Sequence, residues 1–375
     1  MDELLANRYQ IQKLIGKGSF GSVYAAIDSK TKKKLAIKVE SVSITPSPIE
    51  KEILVLKKLN GLKGFPKLYS YGTYQEHNYM VMQRLGKNLS QVFKDFSHHF
   101  TIAEVTHIGC QMVKRIENLH SMEILHRDIK PSQFLVEGKI LYLVDFGSCK
   151  SFIYAGSFHI PMTEDIGFIG THMFASRNAH SKIQLSRRDD LESMCYSLAY
   201  LLRGNLPWID PDSSKNTEAK IGFRKMNYST LSIFEGFPEE FSQVLTYVKG
   251  LNFYYCPDYN FIFNIFINLL EKYENYNIRL FKNPKKPCKT CLIKSHKHTD
   301  TKKRHEKDTK KAENCLCLTE ESSSLPEFKN RQQVPNNIKV YNSEILLEKQ
   351  YTIEVKTQKC ISEMIKDQKK GCKIF

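Results

Sequence analysis

Hydrophobic periodicity changes once along this 375-residue chain, close to residue 85, and that change limits the folds open to it. Before it, YQIQKLIG (9–16), SVYAAID (22–28), KKLAIKVE (33–40), KLYSYGTY and HNYMVMQRL alternate with a period of two, so each predicts a strand. One helical segment interrupts them. PIEKEILVLKKLNG (48–61) puts Ile49, Ile53, Leu56 and Leu59 on one side, with Pro48 in its first turn and Gly61 at its end. Beyond residue 88 the spacing becomes helical, in TIAEVTHIGCQMVKRIENLHS (101–121), opened by a capping threonine, and in RRDDLESMCYSLAYLLRG (187–204). The expectation is an α+β chain: a small strand-rich unit with one main helix, then a larger, mainly helical one. After Pro284 the composition turns to Lys, Thr, Ser, Glu and Asn, as in a flexible extension.

The formal net charge of +16 belongs mostly to that extension. Between Lys282 and Lys311 there are 12 Lys/Arg against 3 Asp/Glu, a net of +9, so more than half the excess sits in thirty residues. A basic tail of this kind argues against a DNA-reading surface on the folded part, and no specific nucleic-acid partner is expected. The most apolar window, FIFNIFINLL (261–270), is half the length that a membrane span needs and is interrupted by asparagines. The N-terminal MDELLANRYQ is polar from its second residue, so an intracellular chain is expected, in cytoplasm or nucleus, with its ten cysteines reduced.

The chemistry-bearing residues come in a fixed order. IGKGSFGSV places Gly16, Gly18 and Gly21 between two strand patterns, where a glycine hairpin without Cβ atoms can lie over a triphosphate. A Rossmann turn would need a strand before and a helix after, so the dinucleotide reading is disfavoured. Lys38 then stands in a mostly apolar strand and wants a partner. Glu52, followed by Leu56 and Leu59 at helical spacing, is the expected partner; Glu50 competes from about 200° away around the helix, so one alone can face the lysine. His126-Arg127-Asp128 follows, with Lys130 two residues on; Asp128 suits a base that accepts a hydroxyl proton, and Lys130 suits charge neutralisation on a moving phosphoryl group. Asp145-Phe146-Gly147 closes the set after the apolar run LYLV, with Asp145 suited to hold a magnesium ion. Glycine hairpin, strand lysine, helix glutamate, H-R-D and D-F-G in this order exclude chance.

With these motifs, residues 8 to 284 resemble the protein kinases and, within them, the casein kinase I family. The family's signs are IENLHS before H-R-D, HIP at 159–161, Gly170-Thr171 and LSRRDDLES at 185–193; ASRN (175–178) stands where A-P-E usually ends the activation segment. The resemblance implies a bilobal kinase fold (domain 1–284, N-lobe about 1–82, hinge 83–86, C-lobe 87–284, then a basic tail 285–375), monomeric, using ATP and Mg2+. It implies transfer of phosphate to serine or threonine of acidic or already phosphorylated proteins. By motif position, Ile15, Val23, Ala36 and Leu135 would enclose adenine, and Gly16, Gly18, Ser19 and Gly21 would cover the phosphates. Met82 would be the gatekeeper beside a hinge from Gln83 to Leu85, and Asp190 the aspartate supporting the catalytic loop. A priming phosphate would meet Arg187 and, at a shifted position, Lys220; the plainer reading is that Arg187 anchors a helix start.

Two features depart from the pattern. Gln133 stands where the family has a metal-binding asparagine and Ser132 where it has aspartate. The added methylene keeps the amide but not the geometry that Mg2+ demands, which leaves a kinase-fold scaffold with impaired catalysis as the alternative. In the tail, CKTC (288–291), SHKH (295–298) and CLC (315–317) could hold zinc, although their lysine-rich spacing favours a basic stretch for nuclear import, acidic partners or membranes. The terminal Cys372-Lys373-Ile374-Phe375 fits a prenylation signal beside Lys366, Lys369 and Lys370, which together would tether the chain to a membrane; an unmodified thiol is the competing reading.

Overall fold

The structure, a computed structural model, describes residues 4–18, 21–154 and 158–273. Ser19, Cys372 and the basic tail with its CKTC, SHKH and CLC elements therefore lie outside the described residues. Six strands form one antiparallel sheet: β1 (Leu4–Leu5), β2 (Tyr9–Gly18), β3 (Gly21–Asp28), β4 (Lys34–Ser41), β5 (Leu68–Tyr74) and β6 (His77–Gln83), in the order β1-β2-β3-β4-β6-β5. Period-two alternation sorts its residues onto two faces. Tyr9, Ala26, Leu35, Ile37, Tyr79 and Val81 make a separate cluster on one face. The other face carries Val23 opposite Lys38 and Ala36 opposite Met82, and Ala36, Met80 and Met82 join the main core.

Helix α1 (Pro48–Lys58) packs on that second face, and Ile49, Ile53, Val55 and Leu56 are buried with it. Ser47 caps it by accepting from the Glu50 amide at 3.2 Å, with Pro48 in the first turn as the sequence implies. The helix stops at Lys58, short of the expected Gly61, which sits in the following turn at φ +85°.

The chain then crosses to a helical lobe through residues 84–88. Gly86 is required there: a Cβ atom would stand 2.3 Å from the Val136 carbonyl oxygen. Helices α2 (Leu89–Asp95) and α3 (Ile102–Ser121) open the lobe, both with capping boxes, at Asn88–Gln91 and Thr101–Glu104. Short strands β7 (Ile124–Leu125), β8 (Phe134–Glu137), β9 (Ile140–Leu143), β10 (Lys150–Ser151), β11 (Ile153–Tyr154) and β12 (Phe158–His159) carry the loops that matter below. Helices α4 (Arg177–His180), α5 (Arg187–Arg203), α6 (Glu218–Asn227), α7 (Thr230–Ile233), α8 (Glu239–Lys249) and α9 (Tyr259–Glu271) complete it.

Helix α5 is the lobe's centre, buried almost throughout from Asp189 to Leu202 and packed against α3 and α8. α3 also packs on α9, where Gly109 admits the Phe266 ring to within 3.1 Å of where a Cβ would be. Cys110, Cys149 and Cys195 are buried, whereas Cys256 is exposed. No helix among the described residues is long and apolar enough to cross a membrane. An antiparallel sheet with one main helix, above a helical lobe, is the α+β bilobal arrangement that the change of period implies.

Candidate active site

The glycine hairpin, α1 and the loops at 126–133 and 145–148 converge between the lobes. Gly16 lies opposite Val23, and Gly18 opposite Gly21, at the turn whose two central residues are not described. Gly21 has no room for a side chain, since a Cβ would meet the Val39 carbonyl oxygen at 2.4 Å. Ala36 and Met82 are buried, Val23, Leu85 and Leu135 are half-buried, and Ile15 is 38 % exposed. Leu135 bridges to Asn88, which brings β8 against the link between the lobes.

Lys38 is 7 % exposed and resolves the choice between the two glutamates: its Nζ lies 2.5 Å from Glu52 Oε2, whereas Glu50 is exposed. The same ammonium reaches Asp145 Oδ1 at 3.2 Å. Burial alone would lower the Lys38 pKa, but the carboxylates of Glu52 and Asp145 hold it above the ordinary lysine value. The Phe146 amide donates to Glu52 Oε1 at 3.4 Å, so α1 is tied to the D-F-G turn through both backbone and side chain. The Phe146 ring is fully buried, 5.8 Å from His126 and 6.2 Å from Phe65.

Asp128, Lys130 and Thr171 form a closed triangle. Lys130 Nζ donates to Asp128 Oδ2 at 2.7 Å and to Thr171 Oγ1 at 2.8 Å, and Thr171 Oγ1 donates to Asp128 Oδ1 at 2.7 Å. Gln133 joins this triangle to the D-F-G turn: its Nε2 donates to Asp145 Oδ2 at 3.0 Å and stands 3.5 Å from Asp128 Oδ2. Burial pushes Asp145 upward, yet Lys38 and His126 hold its carboxyl below the usual value, so it is an anion at neutral pH.

Two residues of the site are held in a strained backbone conformation. Arg127 and Asp145 both take left-handed conformations, at φ +68° and +66°, which cost a side-chain-bearing residue about 1–3 kcal/mol. Asp190 supports the first of these, accepting from the His126 and Arg127 amides at 2.7 Å each and from His120 Nε2 at 2.8 Å. The support expected of Asp190 is thus present. His120 also meets the Tyr259 hydroxyl at 2.7 Å, a link from α9 that chain-local patterns do not reveal.

The two substrate-phosphate candidates stand in separate surroundings. Arg187 Nη2 donates to the Tyr254 carbonyl at 2.7 Å and its guanidinium lies over Phe152, while Lys220 is exposed on α6. Of the neighbouring basic residues, Arg224 bonds Asp210 at 3.2 Å and Lys225 is fully buried.

For Mg2+, the oxygen-rich pair of Asp145 and Gln133 fits in type. Among the described residues there is no cluster of three or more His, Cys, Asp or Glu that could hold a metal ion. Asp145 is available, with its side chain 44 % exposed to the cleft. Gln133 presents its amide nitrogen, not its oxygen, to both carboxylates.

Fold and site together define a phosphotransfer machine with a two-lobed cleft. A family model described as Protein kinase domain matches residues 9–304, and the chain belongs to that family.

Proposed function

We propose that this protein kinase is a serine/threonine kinase of the casein kinase I type, acting on acidic or already phosphorylated proteins. The triangle of Asp128, Lys130 and Thr171 carries the reading, because it poises a carboxylate base, an ammonium and a hydroxyl where an acceptor hydroxyl must enter. The acceptor oxygen attacks the γ-phosphorus of ATP as the bond to the β–γ bridging oxygen breaks, and the acceptor proton passes to Asp128. Lys130 offsets negative charge on the moving group, and Lys38, aimed by Glu52, holds the α- and β-phosphates. Mg2+, held through Asp145 and Gln133, would supply charge neutralisation to the phosphates.

Preference for acidic or primed acceptors rests on the resemblance, on the exposed Lys220 and on Arg187 near the activation segment. Membrane tethering through Cys372 is a separate reading, and equal partitioning of wild type and Cys372→Ser between membrane and soluble fractions would reject it. Purified protein, ATP and acidic peptides test the central claim. Wild type should transfer phosphate at least about 10³-fold faster than Asp128→Asn, the scale of losing an essential base. Equal rates would leave the second reading, a nucleotide-binding scaffold, which the nitrogen-inward setting of Gln133 favours.

A further inference from the structure

The loop that follows Thr171 hangs on a buried lysine. Lys225, on α6, is fully buried, and its Nζ donates to the carbonyls of His172 at 2.9 Å and Ala175 at 2.6 Å. No carboxylate of the described residues lies within ion-pair distance of it. The stem passes between aromatic rings, with Nζ 5.1 Å from the centres of both Tyr196 and Trp208. Trp208 in turn donates from Nε1 to the Met173 carbonyl at 2.9 Å. Three carbonyls of the five-residue stretch 171–175 therefore accept from Trp208 and Lys225, between 35 and 53 residues away in the chain.

The opposite end of that stretch is the active site. Thr171 closes the triangle with Asp128 and Lys130, and Gly170 approaches it at φ +114°, where a Cβ would stand 3.0 Å from the Arg127 carbonyl and 4.0 Å from Asp128 Oδ1. An acceptor protein that delivers a hydroxyl to Asp128 must lie along this stretch. α6 packs on α4, whereas Lys38 and Glu52 stand on β4 and α1.

We infer that Lys225 is a positioning residue for the acceptor substrate: it fixes the 171–175 segment against α6, so that Thr171 and the acceptor are set relative to Asp128. This rests on the kinase reading above. The protonation chemistry supports it. Desolvation lowers Lys225 to about 7, with Glu192 alone opposing, and burial followed by Lys225 lowers His180 to about 4, so His180 is neutral. His180 Nδ1 is buried without a partner, which puts the ring proton on Nε2, 3.2 Å from Lys225 Nζ and 3.1 Å from the His172 carbonyl. An amine with two N–H donors serves the His172 and Ala175 carbonyls and leaves a lone pair for His180. The lowered pKa eases the cost of placing an amine in a dry interior.

The test is Lys225→Met, which keeps the stem and deletes the donors. Steady-state kinetics with an acidic peptide should show the peptide KM raised about 10-fold or more, the scale of losing two buried hydrogen bonds. The ATP KM and the rate of ATP hydrolysis without peptide should stay within about twofold of wild type. An unchanged peptide KM overturns the inference, and so does a parallel loss of peptide transfer and ATP hydrolysis, which would mark a purely structural lysine. If Lys225→Met does not fold, Trp208→Phe decides, since it keeps a ring beside Lys225 and removes the N–H to Met173: a raised peptide KM supports the inference and an unchanged one overturns it. A wild type that transfers no phosphate sinks the kinase reading instead, and this inference with it.

Discussion

Gln133 shows how much one methylene can alter without changing identity. Its amide nitrogen spans the two carboxylates that matter most, 3.0 Å from Asp145 and 3.5 Å from Asp128. A donor in that place lessens repulsion between two anions, a task that an ion would otherwise perform. Asparagine is shorter and would release Asp128 while turning its oxygen to the cleft. The expected outcome for Gln133→Asn is a phosphotransfer rate equal to or above wild type, read as initial rate over a series of free Mg2+ concentrations. A fall beyond about 10²-fold, the effect of one missing electrostatic group, would show a site rebuilt around glutamine.

At the scale of elements, the first turn of α5 governs two loops. Asp190 holds the backbone of the catalytic loop, whereas Asp189 accepts from Ser176 Oγ and Asn178 Nδ2 at 2.8 Å and from the Ser186 amide at 2.7 Å. One turn on, Glu192 accepts from the Arg177 amide and the Tyr196 hydroxyl. Burial raises Asp189 to about 6 against these donors. The folded state therefore keeps a proton on Asp189 between about pH 4 and 6 that the unfolded chain has released, and this group's contribution to stability grows as pH falls through that window. Asp189→Asn removes that dependence. Thermal melts should show wild type ahead of the variant by a margin that widens from pH 6 to pH 4; a constant margin would count against a titrating Asp189.

The parts of this arrangement that a sequence displays are those written locally. Lys38, Glu52, Asp128 and Asp145 stand in short motifs whose spacing survives any fold, and α1 reveals Glu52 over Glu50 by helical geometry. The bond from Thr171 to Asp128 and the burial of Lys225 join residues 43 and 50 apart, across loops without periodicity. Lys225 even reads as a surface base, because it shares α6 with Lys220 and Arg224.

For the molecule as a whole, the link between the lobes is the narrow point. The period changes near residue 85, and the structure places β6 before it and α2 after it. Val136 of β8 donates to the Lys87 carbonyl at 2.9 Å while its own carbonyl crowds Gly86. Gly86→Ala must push β8 away from the link or twist the lobes. Overpacking of this kind costs about 1–3 kcal/mol, so a lower melting temperature and weaker nucleotide-induced stabilisation are expected in a thermal-shift assay. Unchanged stabilisation by nucleotide would show that the cleft is indifferent to the spacing of the lobes.

The buried thiol beside the D-F-G turn has a consequence for chemical reactivity. Cys149 follows Asp145 by four residues and is 1 % exposed, and burial raises its pKa well above that of a free cysteine. Closed, this segment offers electrophiles neither access nor thiolate, while the exposed Cys256 remains open to solvent. Alkylation at position 149 is thus a clock for the activation segment: it can run only while that segment is lifted from the catalytic loop.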